Sequence, residues 1–73
     1  MDRDRQDLLR HLFVVATERC EEAHALSMAG QSAKASPTRH AMLALRLKAT
    51  ANQISAVADA VAAIAGPDAP RGR

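Results

Sequence analysis

The chain has no tryptophan, no tyrosine and a single phenylalanine, Phe13, among its 73 residues. A core without aromatic rings has to be filled by aliphatic side chains, and nucleic-acid bases find no stacking platform beyond that one ring. Cysteine is equally scarce. Cys20 stands alone, which excludes an internal disulfide and argues against a small secreted fold held by cystine bridges. Glycine and proline number three each, so little interrupts a long helix. Polar or charged residues break every apolar run well short of the roughly 20 residues that a membrane span requires. The segment Met1-Asp2-Arg3-Asp4-Arg5 carries both signs of charge and is not followed by an apolar core of signal-peptide length. The expected location is the cytoplasm, with no membrane partner. A net charge of +2 is too small to imply a nucleic-acid partner unless it is concentrated in a patch.

What the chain does have is helical spacing. Between His40 and Ile64, the residues Leu43, Leu47, Thr50, Ile54, Val57, Val61 and Ile64 recur at alternating intervals of four and three, the seam of a helix that packs lengthwise against another. Beside it Ala44, Ala51, Ala58 and Ala65 repeat every seven residues, so a neighbouring helix meets nothing bulky there. Earlier in the chain Leu8, Leu9, Leu12, Phe13, Val15, Ala16, Cys20, Ala23 and Leu26 keep the same kind of spacing. Asp2 or Asp4 is a candidate cap for the start of this first helix, and Gly30 for its end. Ser36-Pro37 marks the start of the second helix: the serine hydroxyl caps, and proline at the first helical position gives up only an N–H that would have lacked a partner. Gly66-Pro67 ends it.

These signals predict an all-α fold. Helix 1 covers about 3–29, a connector 30–36 and helix 2 about 37–65, forming a helical hairpin over 1–66, with 67–73 as a disordered tail. Helices of nearly equal length joined by a short connector lie antiparallel. If the turn centres at 33–34, the numbers of facing residues total about 67. Glu18 then meets Lys48, Glu21 meets Arg46, Phe13 meets Ile54 and Cys20 meets Leu47. In this register Val57, Val61 and Ile64 face Arg10, Gln6 and Arg3, leaving an apolar stripe with nothing apolar across from it. Each such side chain is worth about 1.5–3 kcal/mol when fully buried. A homodimer that closes a four-helix bundle is the expected way to cover it, with a helical protein partner as the other candidate. The expected packing and interface residues are Leu43, Leu47, Ile54, Val57, Val61 and Ile64, with Leu9, Leu12, Phe13, Ala16 and Cys20.

Three patterns invite chemistry. Glu21-x-x-His24 resembles the i, i+3 ligand pair of di-iron carboxylate bundles, which implies a metal between helices; the second helix, however, contains no Glu and only Asp59 as an acid. Cys20, His24 and Met28 fall at i, i+4, i+8, and thiolate, imidazole and thioether suit soft metals such as Cu(I). The plainer reading is a small apolar thiol and a flexible filler, and no metal or other cofactor is expected. His11, His24 and His40 share only an architectural likeness with histidine phosphoacceptors built on dimeric hairpins, since the acidic residue and downstream proline of that family are missing.

Lys34, Arg39, Arg46 and Lys48 form a basic stretch without an intervening acid. In size and layout the chain is similar to small plasmid-encoded RNA-binding proteins built as dimeric helical hairpins, which implies RNA contact on a helical face. Neutralisation of Arg46 and Lys48 by Glu21 and Glu18 counts against it. No Gly-rich phosphate loop and no convergent Ser, His and acid set is present, so catalysis is not expected. The function class that remains is a non-catalytic interaction or dimerisation module, an adaptor or regulator, with RNA binding and metal binding as alternatives.

Overall fold

A computed structural model describes residues 2–66 of the chain. Two helices, α1 (Asp2–Ala29) and α2 (Pro37–Ala65), pack against each other as an antiparallel hairpin, and no strand occurs among the described residues. The expected disordered tail 67–73 lies outside them.

Local chemistry accounts for most helix ends. Ser36 has extended backbone (φ −84°, ψ 166°), and its hydroxyl accepts from the Arg39 N–H at 3.1 Å while Pro37 opens the helix. The first backbone turn of α2 closes from His40 N–H to the Ser36 carbonyl at 2.9 Å. Gly66, at φ 128° and ψ 150°, sits where side-chain-bearing residues rarely go and ends α2.

Two expected caps differ. Asp4 lies inside the first turn of α1, which already begins at Asp2. Gly30 is no left-handed cap, because Gly66 is the one described glycine with positive φ. Its N–H still reaches the Leu26 carbonyl at 3.1 Å, and Gln31 and Ser32 add tighter bonds to Met28 and Ala29 at 3.0 and 3.3 Å. The helix stops at Ala29, just before Gly30 as expected, and short-range bonds rather than a left-handed glycine close its end.

The register differs from the expected one. Glu22 meets Arg46 at 3.7 Å, the His40 ring meets the Gly30 carbonyl at 3.2 Å, and Arg19 meets Gln53 at 3.4 Å. The numbers of these facing pairs total 68, 70 and 72, so the chain reverses near residue 35 and not at 33–34. Phe13 is then level with Val57 rather than Ile54, and Cys20 with Thr50 rather than Leu47. The expected apolar mismatch largely disappears. Val61 is level with Leu9 and Val57 with Leu12 and Phe13; Leu9, Leu12, Val57 and Val61 are all half-buried. Only Ile64 stays level with a polar residue, Gln6.

The second-helix seam holds throughout: Leu43 and Thr50 are buried and Leu47, Ile54, Val57, Val61 and Ile64 are half-buried. In α1 the inward line is Leu9, Leu12, Ala16, Arg19, Ala23, Leu26 and Gly30. Phe13 and Cys20 leave that line and are exposed. Leu26 and Leu43, at 7% and 6% exposure, form the only buried apolar layer among the described residues. The molecule measures 52 × 26 × 13 Å with a radius of gyration of 16.1 Å, against about 11 Å for a compact domain of this length. Its least dimension is about one helix diameter. A single layer of two helices leaves both broad faces of the seam open.

Candidate functional site

The two broad faces differ in charge. An α-helix turns about 100° per residue, so each seam has two flanks, and in an antiparallel pair corresponding flanks share a face. Glu22 of α1 and Arg46 of α2 bridge one of them at 3.7 Å. Arg19 joins the same cluster, donating to Gln53 Oε1 at 3.4 Å and lying 3.1 Å from Glu22. The side chains of Arg19 and Glu22 keep about a third of their exposure, so water screens these pairs and each contributes less than about 1 kcal/mol. What they supply is a polar layer that penalises sliding of one helix along the other.

The opposite face takes the other flank of each seam. From α1 come Leu9, Phe13, Ala16 and Cys20; from α2 come Ala44, Ala51, Ala58 and Ala65, all four of these alanines exposed. Among the described residues no Asp, Glu, Lys or Arg lies across the centre of this face, and Lys48 stands at its rim. Phe13, the largest apolar side chain of the protein, is 59% exposed there. Its neighbourhood is small: the Thr17 hydroxyl turns back to donate to the Phe13 carbonyl at 3.0 Å and presents only its methyl and Cβ outward.

The residues singled out for metal chemistry do not converge. Cys20, Glu21, His24 and Met28 are all exposed. Gln31 Nε2 contacts Met28 Sδ at 3.7 Å, and no group of three or more His, Cys, Asp or Glu placed to hold a metal ion occurs among the described residues. Glu21 is exposed and the partner of Arg46 is Glu22, one position on and about 100° around the helix. Glu18 and Lys48 are both exposed and do not pair with each other. His40 serves the fold. In the tautomer protonated at Nε2 it donates to the Gly30 carbonyl at 3.2 Å, tying the first turn of α2 to the end of α1.

Lys34, Arg39, Arg46 and Lys48 are exposed as the basic stretch requires. Lys34 and Arg39 line an open concavity of about 430 Å³ at the loop end, with Ala29, Ser32, Ala35 and Ser36. Its serines are occupied: Ser32 Oγ accepts from Lys34 N–H at 3.2 Å, and Ser36 Oγ caps α2.

Two functional features escaped the spacing argument, namely Arg19 as an inward residue and Glu22 as the charge that crosses between helices. The signal was present in the four-three alternation of Leu9, Leu12, Ala16, Arg19, Ala23 and Leu26, but the apolar Phe13 and Cys20 drew the first-helix seam onto a neighbouring stripe. No described helix is long and apolar enough to cross a membrane. The chain matches no known protein-family model, and no curated protein or solved structure is detectably similar to it.

Proposed function

We propose that this protein is a non-catalytic interaction module, an adaptor or regulator, that pairs with a second copy of itself through its uncharged face to form a four-helix bundle. One observation carries this reading: the charges that bridge the helices lie on one broad face of the hairpin, while the other exposes Phe13 and four alanines with no Asp, Glu, Lys or Arg across its centre among the described residues. A helix of 29 residues is about 43 Å long and two helices side by side are about 20 Å wide. The face therefore offers on the order of 800 Å², the area each partner contributes to a stable interface of standard size. Self-apposition of a face without charges buries no unpaired ion. The Val57, Val61 and Ile64 stripe, now largely matched within the hairpin, no longer supplies the reason for association.

The non-catalytic part of the reading rests on how the polar groups are used. The hydroxyls of Ser32 and Ser36 and the His40 ring bond to backbone at the helix ends, and the Thr17 hydroxyl bonds to the Phe13 carbonyl within α1, which leaves all four groups engaged in the fold.

Native mass spectrometry of the untagged chain tests the proposal. The expected species is a dimer of two 7.8 kDa chains that reverts to monomer on Phe13→Ala; a monomer at micromolar concentration removes the reading. The RNA-binding alternative draws on the Lys34 and Arg39 concavity. It requires an affinity for RNA that falls steeply with salt and is lost on substitution of both residues.

A further inference from the structure

Two symmetric arrangements bring the uncharged faces of two hairpins together. With both loops at the same end, each α1 lies on the partner's α2. With the loops at opposite ends, α1 lies on α1 and α2 on α2. Resting on the dimer reading above, we infer that the second copy docks with its loop at the same end, so that Phe13 seats between Ala51 and Ala58 of the partner subunit.

Side-chain size separates the two cases. On this face α1 contributes the bulk, Leu9 and Phe13, while α2 contributes alanine at every seventh position from Ala44 to Ala65. Helix axes approach to about 8 Å over small residues and stay near 10 Å over large ones. Opposite-end packing would set alanine on alanine along one side and collect Phe13 and Leu9 of both copies along the other. Two flat, 13 Å thick slabs cannot hold both spacings without leaving a void beside the α2 pair. Same-end packing sets large on small along both sides, the interdigitation that fills a core.

The hairpin's own register then fixes the contacts, because a two-fold axis parallel to the helices keeps every residue at its height. Phe13 is level with position 57, between the partner's Ala51 and Ala58. Leu9 is level with position 61, between the partner's Ala58 and Ala65. Same-end docking does bring the two loops, each with Lys34 and Arg39, to one end. Those side chains are exposed, and at physiological salt charges more than about 8 Å apart are largely screened.

The test uses the full chain with its single native thiol removed and a new one in the exposed loop, Cys20→Ser with Ser32→Cys, spin-labelled and measured by pulsed electron paramagnetic resonance. Same-end docking predicts a label-to-label distance of about 20 Å, set by helix packing distances. Opposite-end docking predicts about 40 Å or more, the length of a helix. The mass of the same sample is read alongside. A dimer with the long distance overturns the same-end arrangement and leaves dimerisation standing; a monomer overturns dimerisation itself. A second readout is the size exchange Phe13→Ala with Ala58→Phe, each single change weakening the dimer about 10-fold or more and the double change recovering most of it. No recovery in a folded, helical double variant also overturns the arrangement.

Discussion

The charged face and the uncharged face of this hairpin are built from the same two helices and the same seam, yet they do different things. On the charged face Arg19, Glu22, Arg46 and Gln53 reach across the helix pair and set how far one helix slides along the other. On the uncharged face no Asp, Glu, Lys or Arg among the described residues bridges the helices, and the one polar link lies at the loop end, where the His40 ring meets the Gly30 carbonyl at 3.2 Å. Phe13 is 59% exposed on this face, and Ala44, Ala51, Ala58 and Ala65 are exposed as well. The difference teaches that the two flanks of one seam can carry surfaces of different chemistry while sharing the same inward residues.

The comparison breaks most visibly if the same charge is placed on each face. Ala58→Glu puts a carboxylate in the centre of the uncharged face, where docking would bury it unpaired. It is expected to abolish the dimer at micromolar concentration in sedimentation, a loss of several kcal/mol. Ala56→Glu, on the other flank of α2 and also exposed, is expected to leave the dimer intact. Equal sensitivity of the two would erase the distinction between the faces.

The seam beneath both faces comes next. Leu43→Ala removes half of the one buried apolar layer and is expected to cost about 2–5 kcal/mol in chemical denaturation followed by circular dichroism. A change below about 1 kcal/mol would mean that the layer is not the anchor of the hairpin.

Smaller effects sharpen the charged side. Arg46→Ala removes a half-exposed pair with Glu22 and is expected to cost less than about 1 kcal/mol, declining as salt is raised; a larger, salt-independent cost would give this face a stabilising role beyond setting register. Smallest is Gly30→Ala. A Cβ there would meet Ser27 O at 3.6 Å, Leu26 O at 3.7 Å and Leu43 Cδ1 at 4.0 Å, all ordinary contacts, and the backbone is not left-handed. The substitution is expected to stabilise by about 0.4–1 kcal/mol in thermal melts, the opposite sign from a left-handed glycine cap.

The helices and the second-helix seam were legible because both are local properties. The interval of four and three from Leu43 to Ile64 is a property of one helix, and Ser36-Pro37 caps whichever helix follows it. The first-helix seam was legible only in part. Leu9, Leu12 and Ala16 turned inward as their spacing predicts, but Phe13 and Cys20 fit a helical stripe just as well as Arg19 and Ala23 do. Hydrophobicity alone favoured the wrong stripe for those two. Arginine at an inward position has apolar methylenes to lay along the seam and a guanidinium that reaches Glu22 and Gln53 at its edge, which a count of apolar residues does not register.

By itself, then, the sequence determined two helices, where each begins and ends to within a turn, and which stripe of the second one faces inward. The tertiary structure decided the register: a reversal near residue 35 in place of 33–34. Contacts between the helices, such as Glu22 with Arg46 and Arg19 with Gln53, mark that register, and the periodicity of either helix alone does not record it. With the register come the choice of Glu22 over Glu21 for Arg46 and the matching of Val57 and Val61 with Leu12 and Leu9; the rotation of α1 about its own axis, which packing also decided, leaves Phe13 exposed.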